Sequence, residues 1–141
     1  MISKRTKYAI KALLYLASND SNQKPVLISD IAKSENISQK FLEAILLEMK
    51  NIGFLASKKG KGGGYFLAKK TNEITLAEIY RNIEGPIAML PCVSLNFYEV
   101  CDDCPDENLC ALHNTFIQIR DSTLAIMEKT TLEQMLQRSF K

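Results

Sequence analysis

The chain has 141 residues, of which 46% are hydrophobic and 24% charged, ordinary values for one globular domain with a buried core. Its net charge of +2 averages two unlike halves: residues 1–70 contain 13 Lys and Arg against 5 Asp and Glu, and residues 71–141 contain 5 against 11. The basic half predicts a polyanionic partner, and the absence of an apolar run of about 18 residues excludes a membrane-spanning class.

The first half of the chain shows the pattern of a helix-turn-helix. Residues 5–19 have apolar side chains at helical spacing and predict the first helix. Ser29 is predicted to cap a short helix that ends at Lys33, and Ser38 to cap a longer one that Gly53 terminates. The predicted inner face of this longer helix consists of Leu42, Ile45, Leu46 and Met49. Two helices joined by a short turn are typical of the motif.

A basic hairpin is predicted directly after these helices. Residues 54–57 and 65–68 form two short strand-like runs, and the loop between them contains only glycine and lysine. Glycine permits the positive φ angles of a tight hairpin and lets a backbone approach an anionic surface closely. A helix-turn-helix followed by such a hairpin predicts the winged helix-turn-helix fold, mostly α with a small β-hairpin wing.

The basic residues of this half predict binding to double-stranded DNA. The first residues of the second motif helix enter the major groove, and lysines of the wing and of the N-terminus neutralise phosphates. Solvated lysines on a generic helical domain are the alternative, but their coincidence with a glycine-rich hairpin favours DNA. The candidate DNA-binding residues are Lys4, Arg5, Lys7, Ser38, Gln39, Lys40, Lys58, Lys59, Lys61, Gly62 and Gly63.

The second half is predicted to contain three helices and one long loop. Residues 75–84 predict a short amphipathic helix, residues 92–110 a polar, acidic loop, and residues 132–139 a last helix capped by Thr130 and Thr131. A heptad-like apolar stripe between the loop and the last helix predicts a further helix: Leu112, Phe116, Ile119, Thr123 and Ile126. The expected organisation is a DNA-binding domain over residues 1–86, a cysteine-rich loop over 87–110 and two helices over 111–141.

All four cysteines and the single histidine of the chain lie within 22 residues, in the order Cys92, Cys101, Cys104, Cys110 and His113. Thiolate and imidazole are ligands that suit iron–sulfur clusters and zinc. Lys11 interrupts the apolar run near the N-terminus, so we expect no secretory signal and a cytoplasmic location, where thiols stay reduced. The spacing alone leaves an iron–sulfur cluster, zinc, or a Cys101–Cys104 thiol/disulfide switch open.

Four segments together resemble the IscR/NsrR/CymR family of bacterial winged-helix transcription regulators. They are residues 3–9, residues 37–43 (ISQKFLE), residues 60–65 (GKGGGY) and residues 83–86 (IEGP). The resemblance covers essentially the whole chain. It implies a homodimer formed through the long helix near the C-terminus, and a two-fold operator with half-sites about one helical turn apart.

The resemblance also implies a cofactor, a 2Fe–2S or 4Fe–4S cluster. Cluster-binding members of the family have three cysteines before the dimer helix, which Cys92, Cys104 and Cys110 match, although eleven residues separate the first two. Cys101 or His113 would be the fourth ligand. The expected function is a transcription regulator whose operator affinity changes with the cofactor; the alternatives are zinc, a thiol switch or control by a protein partner. No third group orients a Cys110–His113 pair, so an enzyme is not expected.

Overall fold

The computed structural model describes residues 2–19 and 23–139; residues 20–22 lie outside this part, as do residues 1, 140 and 141 at the limits of the predicted domains. The helices and strands in chain order are α1 (Lys4–Ser18), α2 (Ile28–Glu35), α3 (Gln39–Ile52), β1 (Leu55–Lys58), β2 (Gly64–Leu67), α4 (Leu76–Ile83), α5 (His113–Lys129) and α6 (Leu132–Ser139). Short 3-10 turns occur at Thr71–Glu73, Pro91–Val93 and Glu107–Leu109. The predicted fold class, mostly α with a two-stranded hairpin, is confirmed.

The core lies between α1, α2 and α3. The four apolar residues predicted for the inner face of α3 are all buried, with Leu42, Leu46 and Met49 at 0% exposure and Ile45 at 1%. They pack against the apolar face of α1 and against Ile31 of α2. Burying one such side chain stabilises a fold by about 1.5–3 kcal/mol, so this cluster holds the two motif helices in a fixed relation.

Both predicted serine caps differ in the structure. Helix α2 begins at Ile28, so Ser29 lies inside its first turn, and Leu27 occupies the cap position without a side-chain hydrogen bond. Ser38 does occupy the cap position of α3, but its side chain makes no capping hydrogen bond. Tertiary packing of Ile31 and Leu42 therefore sets where these helices begin, with no contribution from serine hydroxyls.

The hairpin forms directly after α3, where Gly53 ends the helix with a φ of 102°. The strands pair antiparallel from Leu55 opposite Leu67 to Lys58 opposite Gly64, each strand being displaced by one residue from its predicted position. Tyr65 of β2 also exchanges two backbone hydrogen bonds with Val26, both 2.8 Å long. The wing is therefore anchored to the segment that precedes α2.

The last helix joins the core of the N-terminal half. Thr131 caps α6 as predicted, because its hydroxyl accepts the N–H of Gln134 at 3.2 Å. Leu132 has 0% exposure within the core cluster of α1 and α3, and its N–H donates to the carbonyl of Ile74 at 2.8 Å. Helix α6 thus packs with the winged part, whereas the sequence groups it with α5. Among the described helices, none combines the length and apolar composition needed to cross a membrane.

Candidate DNA interface and cysteine site

The reading end of α3 is held by packing and presents polar side chains to solvent. Asn36 ends α2 in the left-handed conformation, with φ 53° and ψ 50°, and this reverses the chain toward α3. Asn tolerates this conformation better than most residues do. Ile37, 5% exposed, anchors the turn, so that Ser38, Gln39 and Lys40 are all exposed. This arrangement suits insertion of the first turn of α3 into a groove.

The basic start of α1 lies beside the start of α3. The rings of Tyr8 and Phe41 meet edge to face, with their centroids 5.7 Å apart. Lys4 and Lys7 are exposed on the first two turns of α1, in the same neighbourhood. Arg5 is also partly exposed, but its guanidinium forms an ion pair with Glu48 of α3. Part of its charge therefore holds α1 against α3.

The wing presents three exposed lysines on a tight glycine turn. Lys58, Lys59 and Lys61 are exposed, and Gly62 is exposed with a φ of 73°. Gly63 is buried, and a Cβ atom there would lie 2.3 Å from the carbonyl oxygen of Lys58, so only glycine fits at this position. Of the two glycines predicted to contact DNA, Gly62 is therefore accessible to a partner, whereas Gly63 is buried inside the turn.

The four cysteines line one open cavity of about 460 Å³, together with His113 and Glu107. All four are free thiols of intermediate exposure. Cys92 is the middle residue of the Pro91–Val93 turn, and Cys110 directly follows the Glu107–Leu109 turn. The two turns and the start of α5 thus bring to one cavity residues that are up to 21 positions apart.

The thiols of this cavity differ in their acidity. The backbone N–H groups of Leu112 and His113, at the start of α5, lower the pKa of the Cys110 thiol. Such donors at a helix N-terminus stabilise a thiolate. Partial burial, followed by the nearby Cys101, raises the pKa of Cys92. Partial burial and the neighbouring Cys110 also raise the pKa of Cys104, whose thiol donates to the carbonyl oxygen of Asp106 at 3.2 Å. The thiolate form is therefore favoured at Cys110 and disfavoured at Cys92 and Cys104.

Two residues of the cavity region were not recognised from the sequence. Glu107 lies with its carboxylate 3.9 Å from Nε2 of His113, and it accepts a hydrogen bond from the hydroxyl of Tyr98. This hydrogen bond raises the pKa of Tyr98. Both residues lie in an irregular loop, where periodicity gives no signal; the acidity of the loop was visible, but no pattern distinguished Glu107 from its acidic neighbours.

The donor set agrees in kind with an iron–sulfur cluster or zinc, because four thiols and one imidazole share a single cavity wall. Within residues 2–19 and 23–139, however, no three Cys, His, Asp or Glu side chains are already gathered to hold a metal ion. The donors lie on irregular loop segments and at the start of α5, so a metal ion would be bound only if the loop drew at least three of them together.

Comparison with known proteins gives one family over nearly the entire chain. The family model described as "Rrf2: Iron-dependent Transcriptional regulator" matches residues 2–138. An HTH-type transcriptional regulator named rrf2-like, from Rhodobacter capsulatus, is 41% identical over 96% of this chain and 92% of its own length. The HTH-type transcriptional regulator CymR of Bacillus subtilis is 31% identical, over 95% of this chain and 88% of its own.

The fold is shared as well. The structure of CymR, the global cysteine regulator of B. subtilis, superposes with a TM-score of 0.79 at 29% identity, covering 98% of this chain and 97% of that one. The family expected from the wing and the helix-turn-helix is confirmed. These relatives are transcriptional regulators and not enzymes, in agreement with the expectation from the sequence. The chain belongs to the Rrf2 family of transcriptional regulators.

Proposed function

We propose that this regulator binds a two-fold operator in double-stranded DNA as a homodimer, and that an iron–sulfur cluster switches its operator affinity. Cys92, Cys104 and Cys110 would hold the cluster, with Cys101 or His113 as the fourth ligand. The observation that carries the proposal is the convergence of all four thiols on one cavity at the start of α5. The family's own description, iron-dependent transcriptional regulator, supports the same interpretation. A DNA partner implies a cytoplasmic location.

The DNA interface would consist of the exposed starts of α1 and α3 and the exposed wing. Gln39 can form a bidentate contact with adenine, and Lys40 can contact guanine or phosphate. The lysines at positions 4, 7, 58, 59 and 61 would bind phosphates on either side of the groove. The free hydroxyl of Ser38 is available to the same groove because it does not cap its own helix.

The homodimer would form along α5. No residue of this helix is buried, although it is the longest helix among the described residues. Leu112, Ile119 and Ile126 expose 57%, 39% and 67% of their surfaces. Their spacing of seven residues places them on one face, and a second copy of the same helix would cover that face by two-fold symmetry.

When bound, an iron–sulfur cluster supplies a centre whose presence depends on iron supply and oxidants. The chain itself would supply the ligands and fix their positions in the loop. Cys110 is placed by the Glu107–Leu109 turn that precedes it, and Cys92 by the Pro91–Val93 turn. Drawing these two thiols together would change the position of α5 relative to the loop. The difference in DNA affinity between the two states would be the switching free energy.

Protein purified without oxygen tests this proposal through its absorption spectrum and its iron, sulfide and zinc content. We expect a brown protein with equal iron and sulfide, two or four of each per chain according to the cluster. Cys110→Ala should lose the iron, whereas Leu109→Ala, which removes an exposed apolar side chain from the same loop, should keep it. Comparison of Cys101→Ala with His113→Ala identifies the fourth ligand. Zinc in place of iron would contradict the cluster.

A thiol switch is a second candidate, favoured by the lowered pKa of Cys110. A thiolate at a helix start is the form that reacts with oxidants, and a neighbouring cysteine then closes a disulfide. The sequence proposes Cys101 with Cys104, and the acidity of Cys110 adds a third thiol to that pair. If metal is absent after attempted reconstitution, a mass shift of −2 Da per chain under mild oxidant would establish this candidate. No shift and no metal would favour control by a protein partner.

A further inference from the structure

Arg120 is a largely buried cation in the middle of α5, with only 14% of its side chain exposed. Its Nε and Nη2 atoms donate to one carboxylate oxygen of Asp121, at 2.9 and 2.8 Å. Its Nη1 atom donates to the backbone carbonyl of Val93, at 2.7 Å. Asp121 is the next residue on the same helix, so it orients the guanidinium. The bond to Val93 joins α5 to a segment 27 residues earlier in the chain.

This bond reaches the backbone directly beside a proposed cluster ligand. Val93 follows Cys92 in the Pro91–Val93 turn and is 1% exposed, and Ser94 is 6% exposed. The N–H of Val93 donates to the carbonyl of Leu90, and that of Ser94 to Pro91, both at 3.1 Å. Because the turn is internally bonded, a displacement of Cys92 moves the Val93 carbonyl with it.

Helix α5 therefore meets the cysteine loop at two separate points. Cys110 lies three positions before His113, the first residue of the helix, and the carbonyl of Val93 accepts the guanidinium of Arg120. Arg120 lies seven positions after His113, which is about 10 Å along the helix axis at 1.5 Å per residue. A rigid helix attached to the loop at one point can pivot about that point. A helix attached at two points has to change its orientation when the Cys92 turn moves relative to Cys110.

The far half of α5 is connected to the winged part. Nη2 of Arg81 on α4 lies 3.6 Å from the carboxylate of Glu128 on α5. The backbone N–H of Leu76, the first residue of α4, donates to the carbonyl of Thr130 at 2.8 Å. These two contacts connect the C-terminal end of α5 to α4.

Helix α4 in turn contacts the start of α1. Glu84, directly after α4, accepts the backbone N–H of Ser3 and the hydroxyl of Thr6, both at 2.6 Å. Helix α1 is joined to α3 through the ion pair of Arg5 with Glu48. A continuous series of polar contacts thus leads from the Cys92 turn to the helix proposed to read DNA.

We propose that Arg120 is the positioning residue that couples the state of the cysteine site to operator affinity. It does so by making α5 follow the Cys92 turn as well as Cys110. This inference rests on the proposed function, since it concerns how the cysteine site acts on DNA binding. This positioning role depends on the planar guanidinium, because its separate N–H donors bind the carboxylate of Asp121 and the carbonyl of Val93 at the same time.

The test compares the wild type with Arg120→Met, which removes the fork while filling the same space, and with Lys129→Met, which removes one exposed cation from the same helix. The probe is a duplex selected from random sequences by the wild type. For each protein, dissociation constants are measured by fluorescence anisotropy with the iron-loaded and the metal-free form. We expect the loaded-to-free ratio of Arg120→Met to lie within twofold of one. Iron per chain should stay unchanged, and Lys129→Met should retain the wild-type ratio.

Couplings between sites are typically 5–150-fold, which this assay resolves. A wild-type ratio of one would contradict the proposed switch itself. A wild-type ratio far from one that Arg120→Met preserves would overturn the role of Arg120 and leave the switch standing. If Arg120→Met fails to fold or to bind iron, Arg120→Lys decides, because it keeps a charged donor without the fork. A wild-type ratio in Arg120→Lys would also overturn the inference, and a reduced ratio would support it.

Hydrogen exchange of the metal-free protein gives an independent readout. In Arg120→Met, faster exchange should be confined to residues 91–99 and the middle of α5, with α1 to α3 unchanged. Faster exchange throughout the chain would show that Arg120 stabilises the whole fold and has no specific positioning role.

Discussion

The wing depends on Gly64, because the backbone of Val26 occupies the space that a side chain at this position would need. Gly64 has a φ of 143°, and a Cβ atom there would lie 2.2 Å from the carbonyl oxygen of Val26. We expect Gly64→Ala to lower the free energy of unfolding by about 2–4 kcal/mol, since backbone strain adds to the steric clash. Urea unfolding followed by circular dichroism measures the change.

Gly62→Ala is the matched control for this substitution. Gly62 also has a positive φ, 73°, but a Cβ atom there meets open space. The cost should therefore be the strain alone, about 1 kcal/mol. An equal loss of stability in the two variants would show that the contact with Val26 does not shape the wing.

Glu84 predicts a specific dependence of stability on pH. The hydroxyl of Ser3, then that of Thr6 and the N–H of Ser3, lower the pKa of this carboxyl from 4.5 to about 2. A carboxyl whose pKa is depressed in the folded state stabilises it above the unfolded-state pKa. This contribution is lost as the pH falls toward the folded-state value.

The melting temperatures of the wild type and Glu84→Gln between pH 2 and 7 test this assignment. Their difference should be largest above pH 5 and should shrink steadily from about pH 4.5 down to about 2. Glu133→Gln, at an exposed position of α6, should follow the wild type across the range. A difference that is constant with pH would mean that Glu84 contributes only through its shape.

At the scale of single residues, the sequence predicted which residues are buried or end a helix better than it predicted which residues contact each other. The inner face of α3 and the glycine after it were recognisable, because helical period and positive φ leave local signals. The partners of Glu84 lie 78 to 81 residues away and Val93 lies 27 residues from Arg120, and pairings over such distances leave no local pattern. For the same reason, the Ser38 cap was expected from its position, while tertiary packing left its hydroxyl uncommitted.

At the scale of elements, the exposed face of α5 predicts the assembly state. In a two-fold dimer, Ile126→Glu would place two like charges opposite each other in an apolar interface, a cost of several kcal/mol. We expect sedimentation to show half the wild-type mass at micromolar concentration. Ala125→Glu adds the same charge at another exposed position of this helix and should remain dimeric. A dimeric Ile126→Glu protein would place the interface elsewhere.

The elements themselves were predictable to within one or two residues, except where the chain is irregular. Strands β1 and β2 shifted by one residue, because register depends on the partner strand and on Val26, which local propensity does not include. The cysteine loop has no periodic pattern, so its two 3-10 turns and the placement of its thiols around one cavity could not be predicted and are known only from the structure.

At the scale of the whole molecule, the charge asymmetry predicts a salt dependence. The logarithm of the DNA association constant falls with the logarithm of salt concentration by roughly 0.9 per neutralised phosphate. The double variant Lys58→Gln/Lys59→Gln should reduce this slope by roughly 0.9 for every phosphate that the wing no longer neutralises. In a dimer, both half-sites contribute to this reduction. Lys129→Gln, on α5, makes the same kind of charge change and should keep the slope. An unchanged slope in the double variant would remove the wing from the DNA interface.

The position of α6 has a consequence for synthesis of the chain. Leu132 is part of the core that α1 and α3 begin, and Met135 and Leu136 pack against it. A ribosome adds about 5–20 residues per second, starting from the N-terminus. It therefore synthesises the cysteine loop and α5 before the last side chains of the core of the DNA-binding half. A nascent chain thus contains its proposed cluster ligands before it contains the residues that complete its DNA-binding half.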